Sequence, residues 1–227
     1  MPNSDPTPLP FWQPARARAE IWRSLVGILL IHIIYIVVLF SIVVLGARLI
    51  GATPQGVVAA NTPAQAMVFF STFLGYHLGL WLVVKFLHKR PYRSLFGPTG
   101  QVNWQQFRYG FLIAWGLAIL MWVVELTGMI PMPKPPASEI FQSLPFWNWA
   151  AYLLPALAVI FIQIFAEELV FRGYLLQQLR ARFSSVWVWA VVPSVIFGAL
   201  HFDPGTFGTN AYLYVLHTST VGVILAL

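Results

Sequence analysis

Long apolar runs alternate along the chain with short breaks rich in turn-forming residues. The runs cover about residues 21–45, 64–87, 107–130, 149–179, 186–202 and 211–227. Gly and Pro concentrate in the breaks, at about 51–63, 91–100, 131–136 and 203–208. Each run reaches or approaches the ~20 residues that a helix needs to cross a bilayer. The pattern therefore predicts an all-α, polytopic transmembrane helix bundle of about six spans.

The two ends of the chain depart from this pattern. Residues 1–20 hold five prolines followed by Arg16 and Arg18, a composition that predicts a disordered cytoplasmic tail. The helical domain then covers residues 21–227. Its last apolar run stops at Leu227 without a flanking cation, so we expect the domain to be incomplete at its C-terminus.

The composition narrows the class of protein and the chemistry open to it. Hydrophobic residues make up 59% of the chain and charged residues only 9%, whereas a soluble domain carries roughly 25% charge. The chain has no cysteine, which excludes disulfides, thiolate metal sites and cysteine nucleophiles. Any metal, such as a divalent zinc ion, would have to be held by His, Asp or Glu.

The basic excess of +6 reports membrane topology and does not call for a nucleic-acid partner. Only Arg48 and Lys134 fall on one predicted face of the membrane. The other face takes eleven cations: Arg16, Arg18, Arg23, Lys85, Lys89, Arg90, Arg93, Arg108, Arg172, Arg180 and Arg182. We therefore expect a multi-pass protein of the bacterial inner membrane with a cytoplasmic N-terminus, in contact with membrane lipid. The Lys85–Arg93 cluster is also placed to touch anionic headgroups. The sequence leaves the oligomeric state open.

Two adjacent carboxylates interrupt the fourth apolar run. Insertion of each charge at the bilayer centre costs about 2.5–3.5 kcal/mol, so Glu167 and Glu168 point to a function or to a specific partner. On a helix, Glu168 and Arg172 stand at i and i+4 and can form an ion pair. Glu167 points about 100° away and stays available, with Gln163 one turn earlier placed to donate a hydrogen bond to it.

A histidine in the fifth run falls level with these carboxylates. If the two helices form a hairpin that turns at residues 183–185, Glu167 and His201 each lie sixteen to eighteen residues from the turn. A free carboxylate and an imidazole at one level suit the activation of a water for attack on a carbonyl. The residues alone leave open a plainer alternative, in which these groups form only a polar clamp between helices.

These residues resemble a known family of membrane proteases. Glu-Glu-x-x-x-Arg at 167–172, followed by Phe-x-x-x-His at 197–201, is similar to the motifs of the CPBP family (the CAAX prenyl endopeptidase type II and bacteriocin-processing, or Abi, group). The resemblance implies an intramembrane endopeptidase that hydrolyses peptide bonds of membrane-associated, including prenylated, protein substrates. It implies that Glu167 is the base, that Arg172 orders Glu168, and that His201 helps to hold the water. In that family both metal-dependent and glutamate-dependent mechanisms have been argued.

One motif of the family is missing from the sequence. The family carries His-x-x-x-Asn or a close variant on a later span, where it is thought to stabilise the oxyanion, whereas His217 here is followed by Val221. We expect the true motif beyond Leu227, and the activity of the chain as given stays open. A catalytic zinc needs about three protein ligands, and only Glu167 and His201 are strong candidates. Glu168, His217 and Asp203 are weak ones.

Other functions remain compatible with the same residues. A transporter or proton-relay component would use Glu167, Glu168, Arg172 and His201 as a charge pathway. A non-catalytic membrane partner, such as a bacteriocin immunity protein, would keep the fold without turnover.

Several other polar residues in or near the runs are predicted to have structural roles. We expect His32 and His77 to pack against neighbouring helices, Glu125 to reach the membrane surface and Asp203 to start a turn. Gly75-x-x-x-Gly79 predicts a close helix crossing.

Overall fold

The structure is a computed structural model, and it describes residues 9–128 and 145–227. Within these ranges the helices are joined by turns and no strand occurs, which confirms the predicted all-α, polytopic bundle. The first eight residues of the predicted tail, and the predicted break at 131–136 with Lys134, lie outside the described residues.

Seven helices follow one another in the described residues. They are α1 (Ile21–Leu49), α2 (Pro54–Ala59), α3 (Pro63–Leu87), α4 (Trp104–Thr127), α5 (Phe146–Arg182), α6 (Trp187–Ala199) and α7 (Pro204–Ala226). One 3₁₀-helix, Gln13–Arg18, precedes α1, a second, Tyr92–Phe96, lies between α3 and α4, and a third, Gly208–Asn210, lies within α7. Wider π-helical turns occur in α3 at Val83–Leu87, in α5 at Leu169–Leu175 and in α6 at Trp187–Val191. The π turn of α5 directly follows the two glutamates.

Residues 9–128 and 145–227 contain four to five candidate membrane spans, against about six predicted. Four helices, α1, α3, α4 and α5, are each long and apolar enough to cross a membrane. The last two apolar runs form α6 and α7, which are bent by 66° at a short break and together make at most one further span. The physical reason is local. Asp203 caps a new helix that begins at Pro204, so neither run continues as one long rod.

Small residues bring helices α1 and α3 close together. A Cβ on Gly79 would lie 3.0 Å from the carbonyl oxygen of Ile31, and a Cβ on Gly75 would lie 3.0 Å from Cα of Tyr35. Since backbone atoms cannot yield to a side chain, both positions require glycine. The close crossing predicted from Gly75-x-x-x-Gly79 is confirmed.

The helices divide into two compact units. Residues 101–152 form one unit, in which no residue of α4 is buried. Residues 1–100 and 153–227 form the other, whose core centres on buried side chains of α1, α3 and α5: Ile31, Leu80, Val84, Val170 and Tyr174. The many exposed apolar side chains of the spans suit a lipid environment.

The segment ahead of α1 differs from the disordered tail predicted for residues 1–20. Its 3₁₀-helix, Gln13–Arg18, buries Ala15, and the Arg180 guanidinium stacks 4.3 Å from the ring centroid of Trp12. Arg23, at the start of α1, donates to the carbonyl oxygen of Leu87 at 3.0 Å and so satisfies a free acceptor at the end of α3. These contacts join elements far apart in sequence, and composition does not reveal them.

Candidate active site

The paired glutamates occupy the last two positions of the regular α-helical part of α5, before its π turn. The Nε2 amide of Gln163 donates to Oε1 of Glu167 at 3.0 Å, as the spacing predicted. Oε1 of Glu168 lies 3.1 Å from Nη1 of Arg172, which confirms the predicted i,i+4 ion pair, although the angle is not that of a hydrogen bond. One carboxylate is thus balanced by a cation, and the other is held by a neutral amide.

His201 follows the end of α6 and is held by its own helix. Nδ1 of the ring lies 2.8 Å from the carbonyl oxygen of Phe197. Because a carbonyl can only accept, Nδ1 carries the proton, and in the neutral ring Nε2 is the acceptor. The Phe-x-x-x-His spacing therefore fixes the tautomer through the backbone.

Glu167 and His201 line the same cavity. It has a volume of about 210 Å³, and residues of α1, α3, α5 and α6 form its wall: Tyr35, Phe73, Tyr76, Glu167, Val170, Phe171, Phe197, Leu200 and His201. A volume of this size holds several waters, each of which occupies ≈ 30 Å³ in the liquid. The sequence predicted that Glu167 and His201 lie at the same height in the bundle, because each is equally far from the turn at 183–185. In the structure both side chains line one cavity.

Two tyrosines of the cavity wall were not predicted. Tyr35 of α1 and Tyr76 of α3 stack with their ring centroids 4.0 Å apart, and the Glu167 carboxylate is close enough to both phenols to interact electrostatically. The sequence does carry a signal for them, since tyrosine within an apolar run needs a partner for its hydroxyl. That signal does not say which cavity they face.

An aromatic ring connects the ion pair to the histidine. The Arg172 guanidinium carbon lies 4.4 Å from the ring centroid of Phe197, and this ring meets the His201 ring edge-on at 4.6 Å. The first residue of the Phe-x-x-x-His motif thus contacts both the arginine of the other motif and the histidine of its own.

The remaining polar candidates lie elsewhere. His217 is exposed on α7 and Glu125 on α4, and neither is in the cavity wall. Oδ1 of Asp203 accepts from the backbone N–H of Thr206 at 3.1 Å, so this residue starts a turn as predicted. The Thr206 side chain, and after it this backbone N–H, lowers the pKa of the Asp203 carboxyl by hydrogen bonding.

Both histidines in the first two long helices have structural partners, as predicted. Nδ1 of His32 donates to the carbonyl oxygen of Ile28 at 2.8 Å. His77 joins two helices, with Nε2 3.1 Å from the carbonyl oxygen of Ile162 and Nδ1 2.9 Å from the hydroxyl of Tyr92.

The donor set of the cavity falls short of a zinc site. In the parts of the chain that the structure describes, no three His, Asp or Glu side chains come together in a way that could hold a metal ion. Glu167 and His201 supply two ligands, and a catalytic zinc requires about three protein ligands. Of the weak third candidates, His217 is exposed outside the cavity wall, Asp203 starts a turn, and Glu168 is paired with Arg172.

A second polar cluster occupies the interior beyond the π turn of α5. We call it the polar anchor, and its members are His88, Arg90, Tyr174, Gln177 and Gln178. Nδ1 of His88 lies 3.0 Å from the side-chain amide nitrogen of Gln178 and 3.3 Å from the carbonyl oxygen of Arg18, and Nε2 lies 2.9 Å from the Tyr174 hydroxyl. Nη1 of Arg90 donates to Oε1 of Gln177 at 2.6 Å. Burial, and after it the Arg90 charge, lowers the pKa of His88 to about 4, and burial lowers that of Arg90 to about 10.

Comparison with known proteins points to the family that the motifs resemble. Residues 148–227 match the family model described as type II CAAX prenyl endopeptidase Rce1-like. The chain is 34% identical over 125 residues to the uncharacterized protein YyaK of Bacillus subtilis (strain 168). That stretch is 55% of this chain and 40% of YyaK, so the chain spans well under half the length of this relative. No solved structure matches the chain.

The matched region contains every residue of the two motifs. Glu167, Glu168, Arg172, Phe197 and His201 all fall within residues 148–227. This match supports the resemblance of the two motifs to the CPBP family of CAAX-type intramembrane proteases.

Proposed function

We propose that the protein is an intramembrane endopeptidase that hydrolyses peptide bonds of membrane-associated protein substrates, prenylated ones among them. The observation that carries this proposal is the cavity of about 210 Å³ that Glu167 of α5 and His201, just after the end of α6, line together. A carboxylate and a neutral imidazole beside a space for water are the groups that general-base hydrolysis needs. The family supports a protease, and the substrate and mechanism are our inference.

In the proposed reaction Glu167 is the general base. Gln163 holds its Oε1, and a water bound in the cavity gives its proton to the carboxylate as the water oxygen attacks the scissile carbonyl carbon. Nε2 of His201 accepts the second hydrogen of that water, because Nδ1 is committed to the Phe197 carbonyl. When the tetrahedral intermediate collapses, the C–N bond breaks and the proton passes to the leaving amine nitrogen.

Glu168 and Arg172 serve as a positioning pair in this proposal. Arg172 balances the charge of Glu168, so the helix carries one uncompensated carboxylate in place of two. Two neighbouring carboxylates would otherwise raise the free-energy cost of ionising either one. The same guanidinium stacks on Phe197, which links the position of the ion pair to the helix that carries His201.

The proposed mechanism contains no metal step, because the cavity offers two ligands and a catalytic zinc needs about three. It therefore predicts that peptide cleavage persists in 1,10-phenanthroline and in EDTA. Loss of cleavage with a chelator, and its return with zinc, would contradict the proposed role of Glu167 as a metal-free base.

We also propose that the chain lies in a bacterial inner membrane with its N-terminus in the cytoplasm. This rests on the distribution of eleven cations against two between the predicted faces. Cysteine placed at position 16 or at position 48 tests it, since the natural chain has none to interfere. A membrane-impermeant maleimide added to intact cells should label position 48 and not position 16.

The function is tested with the full chain in proteoliposomes and a panel of fluorogenic peptides, half of them carrying a C-terminal prenylcysteine motif. The variant Glu167→Gln keeps the size and hydrogen bonding of the side chain and removes the base. Cleavage should fall by about 10²- to 10⁴-fold, the range for loss of a general base. Glu125→Gln is the matched control, because Glu125 is exposed on α4, and it should cleave at the wild-type rate.

Three outcomes would overturn the proposal. Full cleavage by Glu167→Gln would remove the base. Binding of the peptides without cleavage by the wild-type chain would favour a non-catalytic membrane partner. A pH gradient dissipated by the wild-type chain and not by Glu167→Gln would favour the proton-relay alternative.

A further inference from the structure

A basic groove lies at the end of α3, away from the Glu167–His201 cavity. It has a volume of about 470 Å³, and its wall consists of Trp81, Lys85, Lys89, Arg90, Pro91 and Tyr92. Three of these six residues are cations and two are amphipathic aromatic residues. We call it the basic groove.

The cations of the basic groove have no carboxylate to balance them. The ion pairs found in residues 9–128 and 145–227 are Glu20–Arg23 and Glu168–Arg172, and neither involves the groove. Arg90 donates from Nη1 to the neutral acceptors Gln177 and Ser94. Its Nε and Nη2 atoms are buried without a partner in the same ranges. A buried guanidinium with unpaired donors is unfavourable, and a nearby anion would offset that cost.

The position of the groove at the end of a candidate span indicates which kind of anion it would bind. Lys85 lies in the last turn of α3, a candidate span that ends at Leu87, and Lys89 follows two residues later with a positive φ of 54° that ends the helix. Trp81 lies one turn before Lys85, whose ammonium stands 4.7 Å from the Trp81 ring centroid. Tryptophan and lysine at the end of a span mark the boundary between hydrocarbon and water, which is the depth of the lipid phosphates.

Apolar side chains continue from the groove along α3. Leu78, Trp81 and Phe86 are 43%, 40% and 54% exposed, so the helix that carries the lysines also presents a lipid-facing surface. A free phosphate would use only the charged part. A phospholipid would use both, with its phosphate among the cations and its acyl chains along this surface.

We propose that the basic groove is a binding site for the phosphate group of an anionic phospholipid. Lys85 and Lys89 contact the phosphate, Arg90 supplies the buried positive charge behind them, and Trp81 and Tyr92 bound the headgroup. The proposal does not depend on protease activity, and its test uses none.

The experiment measures lipid binding to the full chain in detergent by native mass spectrometry and by the thermal unfolding midpoint. The lipids are phosphatidylglycerol and, as the neutral counterpart, phosphatidylcholine. Phosphatidylglycerol should bind more tightly and raise the midpoint more. The double variant Lys85→Gln/Lys89→Gln should weaken its binding roughly 30-fold, since each lysine near an anionic lipid contributes about a 5-fold effect.

Three further samples separate the site from general charge effects. Arg108→Gln/Arg182→Gln removes the same charge from exposed positions outside the groove and should bind phosphatidylglycerol as the wild type does. Lys85→Arg/Lys89→Arg keeps the charge and should also retain binding, which shows that these positions tolerate substitution. Inorganic phosphate and glycerol phosphate at millimolar concentration should not displace the lipid.

Three results would overturn the proposal. The first is equal binding of the two lipids. The second is an equal loss of binding in the two glutamine double variants, which would reduce the effect to net charge. The third is displacement by inorganic phosphate, which would assign the groove to a free anion.

Discussion

Helix α5 contributes to two polar clusters less than two turns apart, and the α5 side chains of the two clusters differ in what they face. In the polar anchor, Tyr174 and Gln177 are fully buried, and Gln177 donates to the carbonyl oxygens of Ser94 and Leu95 at 3.0 and 3.2 Å while accepting from Arg90. At the active site, Glu167 is held by one amide and otherwise borders open space. Both clusters involve polar side chains of an apolar helix, yet only at the candidate active site does α5 itself present a carboxylate to a cavity.

The comparison separates two uses of polarity within a membrane-spanning chain. A polar side chain whose hydrogen bonds all go to other parts of the protein fixes the helices in register. A carboxylate that faces space for water retains a free acceptor and can take part in a reaction. Substitutions in the first cluster should therefore change the free energy of unfolding, and substitutions in the second should change the rate of cleavage.

The largest expected effect is on catalysis. His201→Ala removes the acceptor nitrogen from the cavity and should lower peptide cleavage by about 10²- to 10⁴-fold while leaving the thermal unfolding midpoint nearly unchanged. His217→Ala is the matched control, because His217 is an exposed histidine on α7 outside the cavity wall. An equal loss of peptide cleavage in His201→Ala and His217→Ala would mean that lining the cavity does not distinguish a catalytic histidine from an exposed one.

The next effect concerns the polar anchor and should appear in stability alone. A Cβ on Gly27 of α1 would overlap the hydroxyl of Tyr174 and lie 3.0 Å from its Cζ. Gly27→Ala should therefore displace the phenol from His88 and destabilise the protein by about 1–3 kcal/mol, the usual range for overpacking. Gly116→Ala on α4, where nothing lies within 4 Å, should cause no such loss.

Thermal or denaturant unfolding in detergent measures this difference, with cleavage at low temperature as the second readout. Folded Gly27→Ala should still cleave at a rate close to the wild-type rate. If Gly27→Ala lost cleavage without a change in the free energy of unfolding, the polar anchor would act on the candidate active site directly.

A pH effect of similar or smaller size should come from His88. Its pKa is about 4 in the folded chain, against an ordinary value of 6.5, so the unfolded chain binds more protons between these two pH values. Stability should therefore fall as the pH drops from 6.5 toward 4, by about 2 kcal/mol between pH 7 and pH 5. Unfolding curves at the two pH values measure it.

Two variants assign this pH effect to a residue. In His88→Gln the difference in stability between pH 7 and pH 5 should shrink by most of that amount, because the titrating group is gone. In His217→Gln the difference should persist, because that ring is exposed. The same slope in wild type and His88→Gln would show that folding does not lower the pKa of His88.

The sequence predicted contacts that depend on positions within one helix. The spacing of Glu168 and Arg172, of Gln163 and Glu167, and of Phe197 and His201 is local, and helix geometry alone sets which side chains meet. The shared level of Glu167 and His201 followed from counting residues on either side of one turn. The resemblance of the motifs to a family agreed with the match over residues 148–227.

The features that sequence reasoning missed depend on which helix faces meet. Tyr35 and Tyr76 line the cavity because α1 and α3 turn those faces toward α5, and no spacing within either helix states this. The polar anchor was missed for the same reason, since His88 lies about ninety residues from Gln178. In the described residues four to five helices are candidate spans, against the six predicted, because apolar length alone does not reveal that the last two helices form one bent pair.

The smallest expected effect tests whether the aromatic ring or the backbone positions His201. Phe197→Leu removes the ring that contacts Arg172 and His201 and leaves the carbonyl oxygen that accepts from Nδ1. We expect a loss of about 0.5–2 kcal/mol in stability, the range for a cation–π contact. Cleavage should fall by less than about 10-fold, because the tautomer of His201 is set by the backbone. A fall in cleavage as large as that of His201→Ala would instead mean that the imidazole is positioned by the Phe197 ring, and that the ion pair of Arg172 reaches the active site through it.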